Sequence, residues 1–263
     1  MSSQNFSEAS EFIRNNLRLK TFPVAVKFLK DEKEFPEKTR RPAQALGKRI
    51  ALCQAVSMAR LYGWTVGLTK DDLICIPAAL AFGMSNASDA AASMAQLLCE
   101  GMYLKDTEAA RKEVATISKL DKAEYPAILF APLHRASFDP DTIVFYGNPA
   151  QVMRMIQAWS FHRGERIRGN FGGKIECSEY LIAPFKEKAP RVAVPGMGDR
   201  VFSLTQDDEM VFALPGPFLK DLMDGLREAG KKVGAQYPVP MFLNFQPEFP
   251  PAFKAIGKEI GLL

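Results

Sequence analysis

Apolar positions follow two rhythms along this chain, one of strand type and one of helix type. Residues 6–18 repeat apolar side chains at helical spacing, with Ser7 placed as a cap. FPVAVKFL at 22–29 is an apolar run of strand length. Residues 31–42 are charged and carry prolines, which predicts a loop. Residues 43–62 set Leu46, Ile50, Cys53, Val56, Ala59 and Leu61 broadly on one side, which predicts one long helix. WTVGL follows as a strand, and the Ala-rich stretch 86–103 predicts a helix capped by Asn86 or Ser88.

The second half opens with two further strand-like runs, YPAILFAPL at 125–133 and DTIVFYGN at 141–148. Asn148, Pro149 and Gln151 have the types expected of a helix cap, a first helical position and a reciprocal capping partner, so a helix runs from there to about His162. GNFGGKIECSEYLIAP reads as a glycine-rich turn entering a helix. RVAVPG and EMVFALP are strands, 216–231 is a helix, and the Pro- and Phe-rich tail around 238–251 is no regular helix. Such mixing predicts an α+β, or mixed α/β, fold rather than a doubly wound parallel sheet. A chain of 263 residues suits two halves, 1–120 and 121–263, packed as one globular unit.

Two stretches repeat one another. GLTKDDLICI at 67–76 and SLTQDDEMVF at 203–212 share Leu-Thr-x-Asp-Asp. GKRIALC ends at Cys53 before the first, and GKIEC ends at Cys177 before the second. This order predicts an internal duplication in which Cys53 and Cys177 are equivalent and an approximate twofold brings them together. The competing reading is that Thr-x-Asp-Asp starts a turn or caps a helix in both places.

Composition narrows the classes. The chain is 47% hydrophobic and 24% charged, with a formal charge of +4 and no basic stripe interleaved with aromatics, so nucleic acid is not indicated. No apolar run is long enough for a membrane span, and residues 1–20 lack a signal-type apolar core, which predicts a cytoplasmic protein. Its four cysteines are then reduced.

Thiols are the softest donors in a chain with only two histidines, His134 and His162. Cys53, Cys75 and Cys177 are the candidate metal ligands, with Cys99 as the nearest fourth, and thiolates are the ligands of iron–sulfur clusters and zinc. The bland reading keeps them as core residues. A second set of candidates would hold an anionic cofactor or ligand: Asn148, Arg154, Gly172, Gly173, Lys174, Gly198 and Arg200. GNFGGKIE is no phosphate loop of the nucleotidase type, because Arg168 and Ile175 stand where glycine and a hydroxyl residue are needed. Asn148 and Gln151 have pure capping as their alternative, and Asp199 and Arg200 either line a pocket or merely pair. The Asp71–Asp72 and Asp207–Asp208 pairs read as caps sooner than as cation ligands.

IALCQAVSMAR, VGLTKDDLIC, FYGNPAQVMRMIQA, GGKIECSEYLIAP, GDRVFSLTQDDEMVFALP and YPVPMFLNFQPEFP together resemble an uncharacterised prokaryotic family, domain of unknown function 169. The resemblance spans about residues 17–253. It implies no activity. It implies an association with anaerobic bacteria and archaea, which favours oxygen-sensitive cofactors. The leading expectation is a cytosolic cofactor- or metal-binding protein of anaerobic metabolism holding a cysteine-ligated iron–sulfur cluster and meeting a redox partner. The second is a binding protein or non-metal enzyme for a small anionic ligand. A homo-oligomeric scaffold is the third, on the tail composition alone.

Overall fold

The computed structural model describes residues 3–239 and 248–263. Strands β1 (Val24–Leu29), β2 (Val66–Thr69), β3 (Ala127–Pro132), β4 (Thr142–Gly147), β5 (Arg191–Ala193) and β6 (Met210–Pro215) form one sheet in the order β2-β3-β1-β4-β6-β5. All five neighbouring pairs are antiparallel. The fold is therefore mixed α+β, and the sheet runs without a break across residue 120.

Side-chain alternation decides what covers each face. Val24, Val26, Val144, Tyr146, Val211 and Ala213 point to one side. They meet α3 (Leu52–Tyr62), α4 (Ile76–Ala81), α5 (Ala90–Glu100), α6 (Thr107–Thr116) and α8 (Glu176–Glu187). Ala25, Ile143, Phe145, Phe212 and Leu214 point to the other, where α1 (Ser3–Leu17), α7 (Pro149–Arg163) and α10 (Leu219–Glu228) lie. Because both faces are covered, β3 and β4 are buried at every position and read as continuous apolar runs. A close approach fixes α10 on α7: a Cβ at Gly225 would stand 2.1 Å from the Ala158 carbonyl oxygen.

Several elements differ from their sequence readings. Residues 43–62 are not one helix. A short α2 (Pro42–Ala45) ends before Gly47, whose φ of +61° no helix continues, and Ile50 then forms a β-bridge with Leu73 before α3 begins. Apolar spacing across the break mimicked one stripe. The 86–103 helix begins later, because Asp89, and neither Asn86 nor Ser88, caps α5 by accepting from the Ala92 amide. PGMGDR contains a short helix, α9 (Met197–Phe202), that the two glycines hid. In the tail, 240–247 lie outside the described residues, and α11 (Pro251–Glu259) follows.

Asn148 caps α7 as its type predicts. Its Oδ1 accepts from the Gln151 amide at 2.9 Å, and Gln151 Oε1 accepts from the Asn148 amide at 2.7 Å. Its Nδ2 also donates to the Tyr237 hydroxyl. Replacing Asn148 with Ala is expected to cost about 1 kcal/mol in urea unfolding, and a change near zero would remove its capping role.

The two Leu-Thr-x-Asp-Asp stretches occupy different places. The first closes β2, where buried Asp72 accepts from the Thr69 and Ala43 amides and from Arg41 Nε. The second lies in the turn between α9 and β6. By ladder register, Leu68 pairs with the second residue of β3 and Ala193 with the second residue of β6, while Leu204 lies in no strand.

Candidate functional site

Three cysteines from separate segments line one cleft of about 480 Å³. Cys53 lies in the first turn of α3, Cys75 is the residue before α4, and Cys177 lies in the first turn of α8. The walls are mostly apolar, from Leu52, Ile74, Pro77, Leu98, Ile175 and Phe202 among others. Its rim is unusually apolar for an exposed surface: Ile74, Ile76, Tyr103, Met197, Val201 and Phe202 all lie there exposed.

A carboxylate sits at the inner end. Asp199 is 4% exposed and accepts from the Tyr180 hydroxyl at 2.7 Å, the Tyr146 hydroxyl at 3.4 Å and the Gly196 amide at 3.2 Å. Burial nevertheless raises its pKa, against the pull of those bonds and of Arg60. The Cys53 thiol donates to the Gly198 carbonyl at 3.5 Å.

The thiols are held protonated. Burial, then the negative charge of Asp199, then Cys75 push Cys53 up to about 12. Burial raises Cys75 too, and Cys177 rises well above its usual range through burial, Cys75, Asp199 and Cys53 in that order. A helix N-terminus ordinarily favours a thiolate. For Cys53 and Cys177 desolvation outweighs it, so neither is a poised nucleophile. Cys177 feels both Cys75 and Cys53, and Cys53 feels Cys75.

Glu176 was not legible as a site residue. Its Oε1 accepts from the Gly172 amide at 2.7 Å and the Gly173 amide at 2.6 Å. Its Oε2 is buried without a hydrogen-bond partner. Burial first, then Glu179 and Asp199, raise this carboxyl to about 7 against those two amide bonds. Its position next to Cys177 and three residues after Gly173 was the available signal, that of a carboxylate reaching back to cap a glycine turn.

The other candidates disperse. Lys174 lines the cleft but pairs with Glu113 Oε1 at 2.6 Å. Gly172 and Gly173 present their amides to Glu176, so the protein's own carboxylate occupies the nest proposed for an anion. Arg154 is buried on α7 and donates to the Ala229 and Leu226 carbonyls at the end of α10. Asn148 caps α7, away from the cleft lining. Gly198 lines the cleft, while Arg200 donates to the Gln206 carbonyl. Cys99 is half-buried against the core behind α5 and is not part of the lining. Among the described residues, no group of three or more His, Cys, Asp or Glu side chains is arranged to hold a metal ion. No described helix is long and apolar enough to cross a membrane.

The profile of domain of unknown function 169, described as uncharacterised ArCR, matches residues 13–225, which hold every cysteine and the whole sheet. The chain belongs to that family. It is also similar to the uncharacterised protein MJ0308 of Methanocaldococcus jannaschii, with 32% identity over 204 residues, 77% of this chain and 85% of the relative. No solved structure matches. Family membership thus adds no activity, and the cleft chemistry has to carry the functional reading.

Proposed function

We propose that the cleft is a cofactor site in which Cys53, Cys75 and Cys177 ligate an iron–sulfur cluster. The observation that carries this reading is the convergence of three thiols, from three separate segments, on one apolar cleft. Thiolates are the usual ligands of such clusters. Among the described residues, no group of three or more such donors surrounds one point. A cluster is several atoms wide and keeps its ligands further apart. The first turns of α3 and α8 face the cleft and favour the negative charge of a thiolate-bound cluster. Binding would release the thiol protons, so affinity should rise with pH. The apolar walls would keep water from the sulfurs.

The anionic-ligand alternative is weaker, because the donors it needs are engaged. Arg154 holds carbonyls, Lys174 holds Glu113, and the glycine amides hold Glu176. A cytoplasmic, oxygen-poor setting and a redox partner at the apolar rim belong to the cluster reading.

The same reading includes an ancestral duplication, anchored on the ladder rather than on Leu-Thr-x-Asp-Asp. β1 pairs six residues with β3 and β4 pairs six with β6, Val24 facing Pro132 as Thr142 faces Pro215. Cys53 lies one helix before β2, and Cys177 one helix before β5. In an experimental structure, β1-α3-β2-β3 should superpose on β4-α8-β5-β6 with Cys53 within one residue of Cys177. A mismatch there removes the duplication.

Anaerobic reconstitution with ferrous iron and sulfide tests the cluster. Wild type is expected to take up iron and sulfide and to gain a visible charge-transfer band, which Cys53→Ser, Cys75→Ser and Cys177→Ser each diminish severely. Cys99→Ser should leave the band intact. A folded wild-type protein with no bound iron and no band sinks the proposal.

A further inference from the structure

The cleft has a polar end that its thiols do not explain. Three of the side chains lining it carry charge: Lys174, Glu176 and Asp199. Lys174 is committed to Glu113 Oε1 at 2.6 Å and to the Gly172 carbonyl at 3.1 Å. Asp199 is satisfied by two tyrosine hydroxyls and the Gly196 amide. Glu176 is not satisfied. It is 1% exposed, its Oε1 holds the Gly172 and Gly173 amides, and its Oε2 is buried without a partner. Buried polar atoms are ordinarily paired, so an orphan on a cleft wall marks a place for a group with a proton to donate.

The surroundings decide what charge that group carries. Burial, then Glu179 and Asp199, push against ionisation of Glu176. The one lining cation, Lys174, is spent on Glu113. A buried carboxylate is costly without a cation, and a cationic donor forms the stronger hydrogen bond. The carboxyl is also held in place. A Cβ at Gly196 would stand 3.3 Å from Glu176 Cγ and 3.1 Å from Lys174 Cα, and the Met197 amide donates to the Gly173 carbonyl at 3.2 Å. Fixed geometry of this kind lowers the cost of binding. Leu52, Ile74, Pro77, Leu98 and Ile175 make the walls apolar, and a cleft of about 480 Å³ falls within the range of about 300–1,000 Å³ usual for small-molecule sites.

We propose that the cleft binds a small primary amine with an apolar body, its ammonium donating to Glu176 Oε2 and its body lying on the apolar walls. The inference goes beyond the cluster reading and rests on none of the three thiols. Tyr103 and Phe202, both exposed at the rim, give the mouth two aromatic rings against which the far end of the body can pack.

Phenethylammonium, 2-phenylethanol and 3-phenylpropanoate share one apolar body and end in a cation, a neutral hydroxyl and an anion. Each is titrated calorimetrically into the full chain with chelator present, alongside n-alkylamines from propyl to octyl and their matching alcohols. Wild type is expected to bind at least one of these amines roughly tenfold or more tightly than its alcohol, the scale of one charge-assisted hydrogen bond, and to bind the carboxylate most weakly. Glu176→Gln should lose that preference and keep the alcohol affinity. A thermal melt checks that the variant folds. Wild type supplies a second readout that needs no variant: the amide NMR signals of Gly172 and Gly173, bonded to the same carboxyl, should shift with the amine and stay still with 3-phenylpropanoate. No amine bound below about 10 mM, an alcohol bound as tightly as its amine, an unchanged preference in Glu176→Gln, or glycine signals that do not move would each overturn the inference. Iron uptake is assayed separately. Amine selectivity without iron uptake sinks the cluster reading alone, and iron uptake without amine selectivity sinks this inference alone.

Discussion

Replacing Arg60 with Met is expected to destabilise the protein by about 3–5 kcal/mol, the scale for removing one partner of a buried ion pair. Arg60 is 1% exposed on α3. Its Nη1 and Nη2 donate to the two carboxylate oxygens of Glu209 at 2.7 and 3.1 Å, and Nη2 also reaches the Leu204 carbonyl at 3.3 Å. The guanidinium lies 4.0 Å from the centre of the Tyr146 ring. Methionine keeps much of the stem's packing but removes every donor. Glu209 would then be a buried carboxylate left with only the Gln206 amide. The penalty comes chiefly from that stranded charge, so Arg60→Met/Glu209→Leu should be more stable than Arg60→Met alone. Urea unfolding at pH 7 measures both. A single-variant loss below about 1 kcal/mol, or a double variant worse than the single, would contradict this account. The pair also concerns the cleft, because it ties α3, which carries Cys53, to the turn before β6.

Much of this architecture was legible because it rests on local signals. The runs at β1, β3, β4 and β6 were visible as apolar stretches, since a sheet covered on both faces needs no polar alternation. The α7 start was visible because Asn148, Pro149 and Gln151 form a complete capping signature. Breaks caused by one residue were not visible. Gly47 divides a helical stripe that is continuous in its apolar spacing, and the Ile50–Leu73 bridge is a contact with no local mark. Strand order was hidden for the same reason. Leu-Thr-x-Asp-Asp caught the eye as a repeat, but one copy ends a strand and the other precedes one.

The site divides along the same line. Cys53, Cys75 and Cys177 were picked out by their chemistry and by the motifs around them, and the fold puts them on one cleft. The basic and amide candidates were picked out by type alone. Type does not show that a partner is already present, as Glu113 is for Lys174 and the α10 carbonyls are for Arg154. Glu176, Tyr146 and Tyr180 were missed because their role follows from burial and from groups brought in by other elements. Asp199 was suspected, but nothing local reveals that two tyrosines on β4 and α8 converge on it.

Glu176→Gln is expected to reverse its effect on stability between acid and alkaline pH. In the unfolded chain this carboxyl titrates near 4.5, and in the folded protein burial moves it to about 7. Between those values the native state holds a proton that the unfolded state has lost. Stability therefore falls as pH rises across that window, opposite to the behaviour of a salt-bridged carboxylate. A shift of that size corresponds to roughly 3 kcal/mol between pH 4 and pH 8. Glutamine stays neutral throughout, and its oxygen can still accept from the Gly172 and Gly173 amides. Its amide group then meets the place where Oε2 has no partner. The variant should thus be equal to or less stable than wild type near pH 4.5 and more stable near pH 8. Urea midpoints of both apo proteins at pH 4.5, 6 and 8 give the difference, in which the other carboxylates largely cancel. A difference that does not change with pH would mean that Glu176 titrates as an ordinary carboxylate. The orphaned oxygen would then be reached by water.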